Sequence, residues 1–236
     1  MKQLYILGSK INDISLNQTL KLIAKHLQSK QKGYIVTPNP EICLKAYQDK
    51  QLRRIILNSF LSIPDGFGLK LGARIFGKKL NNITTGVDLT YKLLEHAEHN
   101  NYSILFFEGT PKIGDQVLKI VRQKYPSLNI NFIDPGKVDN KGNCENKDLV
   151  LEIIKLNPDI IFVNFGAPKQ EYFIKNNIEK LNTKLMIGNG GSFDFISGRL
   201  TRAPKIMRKI GFEWLYRLFK EPARIKRIIN AVVIFP

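Results

Sequence analysis

Pro64-Asp65-Gly66 is the tripeptide best suited to chemistry in this 236-residue chain. It follows the apolar run 60–63, which reads as a strand, so a carboxylate stands on a turn at the strand's end. Gly66 permits a sharp turn and lets a ligand approach the backbone. A carboxylate so placed can take a proton from a substrate hydroxyl within hydrogen-bond reach. It can equally cap the helix that follows, and spacing alone leaves both roles open. Other apolar runs end in similar groups: Thr37 and Asn39 in Thr37-Pro-Asn39-Pro-Glu41, Gly109 in Glu108-Gly109-Thr110, and Gln170 and Glu171 in Gly166-Ala-Pro-Lys-Gln-Glu171. Their amides and acids suit ligand hydroxyls and suit helix caps equally well. Gly188-Asn-Gly-Gly191 adds backbone N–H groups at a helix start, as an anion cradle does.

The scaffold that must position these turns is legible as alternation. Through about residue 190, short β-branched runs (4–7, 34–37, 60–63, 102–107, 128–133, 160–165, 184–187) alternate with helical periodicity. This pattern predicts an α/β, Rossmann-like sheet with helices on both faces. Helices are expected after a Ser15 cap, from Pro40, over 67–76, over 148–156 and over 168–180; the polar stretch 134–147 reads as a surface loop. If the strands run parallel, the polar turns share one edge and line one crevice. From Ser192 the pattern is helical only, so we divide the chain into a core, 1–191, and a helical appendage, 192–236.

Charge singles out the appendage. Residues 199–236 hold ten Lys/Arg against two acids, a net +8 of the chain's +17. The cations are interleaved with Ile206, Met207, Phe212, Trp214, Tyr216 and Phe219, which suits a surface bearing both phosphate and hydrocarbon, such as an anionic membrane. Charge alone also allows a nucleic-acid-binding module. No apolar stretch reaches the roughly 18 residues of a membrane span, and the N-terminus reads as a first strand rather than a signal peptide. Two distant cysteines, Cys43 and Cys144, make no metal pattern and fit a reducing cytoplasm. Gly72-Ala-Arg-Ile-Phe-Gly77-Lys78-Lys79 has the spacing of a phosphate loop, but Lys79 replaces the Ser/Thr and no strand precedes it. His96 and His99 lack a third ligand and read as a polar helix face, and His26 reads as a surface residue. There is no Asp-x-Asp, the motif with which many nucleotide-sugar enzymes hold a divalent cation. An enzyme of that kind would then neutralise a leaving diphosphate with protein cations or helix N-termini; no metal and no cofactor are expected.

Taken together, the motifs carry a family resemblance. Thr37-Pro-Asn39-Pro-Glu41, Pro64-Asp65-Gly66, Thr85-Gly86-Val87-Asp88-Leu89 and Gly166-Ala-Pro-Lys-Gln-Glu171 resemble the WecG/TagA/CpsF glycosyltransferases in order and spacing. So do Gly191-Ser-Phe-Asp-Phe-Ile-Ser-Gly198, Arg202-Ala-Pro204, Gly211-Phe-Glu-Trp-Leu-Tyr-Arg-Leu218 and Glu221-Pro-Ala-Arg224. The resemblance implies an inverting, metal-independent bacterial enzyme. It would move a sugar, commonly N-acetylmannosamine, from a UDP-sugar to a polyprenyl-diphosphate-linked sugar in teichoic acid, capsule or exopolysaccharide synthesis. It implies Asp65 as base, Thr37, Asn39 and Gln170 as site-lining, and Arg202, Arg217 and Arg224 as appendage cations that meet the diphosphate. The implied location is cytoplasmic, peripheral on the inner face of the plasma membrane; nucleic acid is not an implied partner, and self-association is left open. Two positions depart from the family pattern: Ile83 stands where Arg is usual, and Pro135-Gly136 where His-Gly is usual. Both bear on which hexose is donated, with glucose as the alternative.

Overall fold

The chain starts with an antiparallel hairpin, β1 (Lys2–Ile6) and β2 (Ser9–Asp13), turned by Leu7 and Gly8 at φ 47° and 75°. Positive φ at both central residues matches the turn to the twist of the flanking strands. The sequence predicts the first strand but not its partner, because Leu7 stands where Asn or Gly would announce the turn. Helix α1 (Leu16–Leu27) begins at Ser15, which forms a reciprocal capping box with Gln18. Then come β3 (Gly33–Val36), α2 (Pro40–Gln48), α3 (Lys50–Asn58), β4 (Leu61–Ser62), α4 (Phe67–Ile75), α5 (Gly86–His99), β5 (Ile104–Glu108) and α6 (Pro111–Lys124). The rest supplies β6 (Ile130–Ile133), α7 (Leu149–Leu156), β7 (Ile160–Asn164), α8 (Lys169–Asn177), β8 (Leu185–Gly188) and α9 (Ser192–Ile196). This computed structural model describes residues 1–108, 111–146, 148–204, 206, 207, 213, 215 and 216. Gly109, Arg217, Arg224 and most of the basic segment lie outside the described residues.

Strands β3 to β8 form one six-stranded sheet in the order β4-β3-β8-β7-β5-β6, with every pairing parallel. Successive strand residues point to opposite faces. Ile35, Phe106, Phe162 and Ile187 therefore pack with α1, α5, α6 and α9, while Val36, Phe107, Val163 and Met186 pack with α2, α3, α7 and α8. Covering both faces is what makes the strand runs almost wholly apolar. The layering is the expected one, but the order is not the usual dinucleotide-binding order. Chain from β3 runs outward to β4, chain from β5 runs outward to β6, and β7 and β8 fill the middle.

The hairpin seals the β4 edge, where unpaired backbone groups would otherwise stand. Ser62 donates its backbone N–H to Asn12 Oδ1 (2.7 Å) and its hydroxyl to the Lys10 carbonyl (2.5 Å). A small third cluster of Ile6, Ile11, Cys43, Leu69, Ala73 and Leu80 ties the hairpin to α2 and α4. Two placements differ from the sequence reading. His26 is buried: its ring stacks on Phe60 with centroids 4.3 Å apart, and Nε2 meets the Lys184 carbonyl at 3.1 Å. Gly33 makes the room, since a Cβ there would lie 2.7 Å from His26 Nε2. Helix α9 packs within the core layer, with Phe193 fully buried 4.5 Å from the Phe106 ring centroid. Among the described residues no helix is long and apolar enough to cross a membrane.

Candidate active site

Because the six strands are parallel, their C-terminal ends lie at one edge, and the polar turns gather there. Backbone bonds knit them together. Ile63 N–H donates to the Val36 carbonyl (2.9 Å), Asp65 N–H to that of Pro38 (2.9 Å), and Thr84 N–H to that of Pro64 (3.0 Å). The Asp65 turn is thus clamped between the Thr37-Pro-Asn39 turn and the segment entering α5. That segment is held in turn by Asp13, which accepts the backbone N–H and side-chain amide of both Asn81 and Asn82 at 2.9–3.2 Å. Burial works to raise the Asp13 pKa, but the Asn82 and Asn81 bonds outweigh it and hold the carboxyl below its usual range. Asp65 is half-buried. Gly66, at φ 87°, occupies the N-cap position of α4 and has nothing within 4 Å of where a Cβ would point. Asp65 therefore sits one residue outside the cap, next to a glycine whose side-chain direction is open.

Several other expected site residues are structural partners of this edge. The Thr37 hydroxyl is buried and donates to the Gly188 carbonyl (2.9 Å), joining the ends of β3 and β8. Asn39 is the N-cap of α2, its Oδ1 accepting from Ile42 N–H at 2.9 Å; Pro40 suits the first helical position. Gln170 and Glu171 are fully buried. Gln170 Oε1 accepts from Gly190 N–H (3.0 Å) and its Nε2 donates to Glu171 Oε1 (2.8 Å), so the pair shapes the Gly188-Asn-Gly-Gly191 turn from beneath. A Cβ at Gly188 would lie 3.1 Å from Gln170 Nε2, so a larger residue there would press on the buried amide.

Burial pushes the Glu171 carboxyl up to about 7, against the opposing pull of Gln170 and Lys45, and its Oε2 has no hydrogen-bond partner among the described residues. A carboxyl raised in the folded state contributes stability that is full at low pH and is lost as pH rises from its ordinary value near 4.5 toward 7. Urea unfolding followed across that window should therefore show wild-type stability falling by roughly 1–3 kcal/mol more than that of Glu171→Gln; parallel curves would mean that Glu171 ionises freely.

A second buried polar pair joins Glu108, of the Glu108-Gly109-Thr110 turn, to a residue the sequence reading does not single out, Asn164. Asn164, ending β7, donates through Nδ2 to Glu108 Oε2, at the end of β5, and both are buried. The available signal was an amide at the end of the run Ile-Ile-Phe-Val-Asn164.

Arg202 has a defined anchorage. Its guanidinium forks onto Asp88, Nη1 to Oδ1 at 2.7 Å and Nη2 to Oδ2 at 3.1 Å, and Nη2 also reaches Thr85 Oγ1 at 3.2 Å. Burial opposes the charge, and Asp88 more than compensates, raising the arginine's pKa above its usual value. Thr85 caps α5 by accepting from Asp88 N–H (3.2 Å) and donates to Asp88 Oδ2 (2.6 Å). Next to it Gly86 lets α5 touch the 188–191 turn: a Cβ would fall 2.5 Å from Asn189 Oδ1 and 2.6 Å from Ser192 Oγ. Asn189 in turn donates to Thr90 Oγ1. Helices α2, α4 and α8 all start at this edge, so the positive ends of three helix dipoles lie along it, an arrangement that favours an anion.

A sequence model of the Glycosyl transferase WecG/TagA/CpsF family matches residues 4–236. The chain belongs to this family. Its similarity to curated proteins extends over most of both partners. One from Bacillus subtilis (strain 168) is 31% identical over 218 residues, 92% of this chain and 83% of the relative. One from Bacillus spizizenii is 30% identical over 205 residues, 87% and 78% respectively. One from Staphylococcus aureus (strain MRSA252) is 30% identical over 226 residues, 94% and 87%. All three are N-acetylglucosaminyldiphosphoundecaprenol N-acetyl-beta-D-mannosaminyltransferases. In this WecG/TagA/CpsF chain, Thr85-Gly86-Val87-Asp88 clasps Arg202 and packs on the 188–191 turn.

Proposed function

We propose that this glycosyltransferase moves N-acetylmannosamine from UDP-N-acetylmannosamine to a polyprenyl-diphosphate-linked N-acetylglucosamine, with inversion, at the inner face of the bacterial plasma membrane. The observation that carries this reading is the family match over residues 4–236 together with relatives whose names state that sugar and that acceptor. The clustered edge supports it, since Asp65 adjoins Gly66, whose side-chain direction is open, at the sheet edge where α2, α4 and α8 begin. Asp65 takes the proton of the acceptor hydroxyl as its oxygen attacks the anomeric carbon. The bond to the UDP oxygen breaks on the opposite face, and UDP leaves with the electron pair. Developing charge on the diphosphate is met by helix N-termini and by Arg217 and Arg224. Arg202, committed to Asp88, serves as the root of the basic segment and not as a free cation. The product belongs to wall teichoic acid or a related surface polymer.

Ile83 and Pro135-Gly136, the two departures from the family pattern, bear on the donor, and the second reading is transfer of another hexose, such as glucose, to a similar acceptor. A UDP-release assay over a panel of UDP-sugars, with a polyprenyl-diphosphate-N-acetylglucosamine analogue, separates them. UDP-N-acetylmannosamine should turn over at least about tenfold faster than UDP-glucose, a discrimination within reach of a few site contacts. Preferential release from UDP-glucose would establish the second reading. Tight, salt-sensitive oligonucleotide binding without UDP binding would remove both.

A further inference from the structure

Helix α4 leaves the Asp65-Gly66 turn with apolar groups on two opposite faces. Leu69 and Ala73 are buried in the cluster with the hairpin and α2. Phe67, Leu71 and Ile75 are 42, 39 and 55% exposed, and Phe76 at the helix end is 45% exposed. Positions i, i+4 and i+8 share one helix face, so these side chains form a stripe pointing away from the core. Contiguous large apolar groups in water mark an interaction surface. Lys70, Arg74, Lys78 and Lys79 are exposed around the stripe, and no acid occurs between Asp65 and Asp88. Lys78 Nζ donates to the Tyr5 carbonyl (2.6 Å), which brings the half-exposed Tyr5 of β1 alongside.

Charge selects the occupant. The chain's own segment 199–236 carries a net +8, and a second copy would present the same four cations. Either would bring like charge to the patch. An anionic phospholipid surface supplies both hydrocarbon for the stripe and opposite charge for its rim. We propose that the outward face of α4, Phe67, Leu71, Ile75 and Phe76 rimmed by Lys70, Arg74, Lys78 and Lys79, lies on the anionic bilayer surface. It thereby holds the Asp65 turn at headgroup level, where the first sugar of a lipid-linked acceptor is carried. Only this last consequence rests on the proposed transferase reaction; the docking face stands on the patch itself.

The test uses the full chain and vesicles of phosphatidylglycerol and phosphatidylcholine, with pure phosphatidylcholine vesicles as the neutral comparison. The double variant Leu71→Ser/Ile75→Ser should bind anionic vesicles at least fivefold more weakly and melt at the wild-type temperature. Its transfer to acceptor embedded in vesicles should drop in parallel, and its rate on a water-soluble, short-chain acceptor should stay at the wild-type value. Lys70→Glu/Arg74→Glu should lose affinity for anionic vesicles and leave weak binding to neutral ones unchanged. Unaltered vesicle binding in both variants overturns the proposal. So does a shift from dimer to monomer in sedimentation with vesicle binding intact, which would make the face an interface between copies. A wild-type protein that transfers no sugar yet needs this face to bind vesicles would remove the transferase reading and leave the docking surface standing.

Discussion

Asp65→Asn is expected to fold as the wild type does and to lose about 10²–10⁴-fold in kcat, the usual contribution of a positioned general base. The substitution is nearly isosteric, and two backbone bonds of the turn do not involve the side chain: Asp65 N–H to the Pro38 carbonyl and Thr84 N–H to that of Pro64. The N-cap of α4 is Gly66, so helix stability does not depend on the carboxylate at the cap position. An amide cannot accept the acceptor's proton, whereas donor binding through other groups is untouched. The loss should therefore fall on kcat, with KM for the UDP-sugar within a few-fold of wild type. Steady-state UDP release and a thermal melt on the same preparation decide it. A kcat within threefold of wild type would take Asp65 out of the base role.

The second large effect concerns the basic segment. Removing residues 205–236 should leave a folded core and reduce transfer to a lipid-linked acceptor by about 10²-fold or more, the scale of losing preorganised charge at a leaving group. The cut is placed after Pro204 for a structural reason. Arg202 still has Asp88 and Thr85 as partners, Leu200 N–H keeps the Asp194 carbonyl (2.9 Å), and Ala203, 3% exposed in the full chain, is retained. A cut at Ser197 discards all three, strands Asp88 without its arginine and mixes a stability defect with the catalytic one. Equal melting temperatures for the full chain and the 1–204 protein, with transfer rates differing by two decades, is the expected pair of results. Equal transfer rates would end the idea that residues 205–236 complete the site.

The parts of this fold visible in the sequence are those written in local pattern. The apolar run ending at Asp65, the Pro-Asn-Pro start of α2 and the Ser15 cap of α1 each declare themselves within a few residues. What stayed hidden depends on partners far away in the chain or on an unusual residue in a turn. Leu7 adopts φ 47° without the glycine or asparagine that would signal it, so β2 passes as the lead-in to α1. His26 looks like any polar residue on α1 until Phe60 and the Lys184 carbonyl arrive beside it. Arg202 meets Asp88 across 114 residues, and Asn164 meets Glu108 across 56; no spacing rule links such pairs. The same holds for Gln170 and Glu171, whose type suggests ligand contact and whose burial assigns them to shaping the Gly190 turn.

The strand order also governs how the molecule comes into being. As the chain emerges, β3 can pair with β4 and β5 with β6, but each of these two-strand pieces keeps an open inner edge. Only when residues 160–188 have been made can β7 and β8 slot between them. Such late, long-range closure is the slow kind of folding step and the one most open to association between unfinished chains. The same insertion brings the Gly188 carbonyl to Thr37 and the Gly190 N–H to Gln170. A nascent chain halted before β8 consequently has neither a continuous sheet nor an assembled catalytic edge, and both are gained in one event.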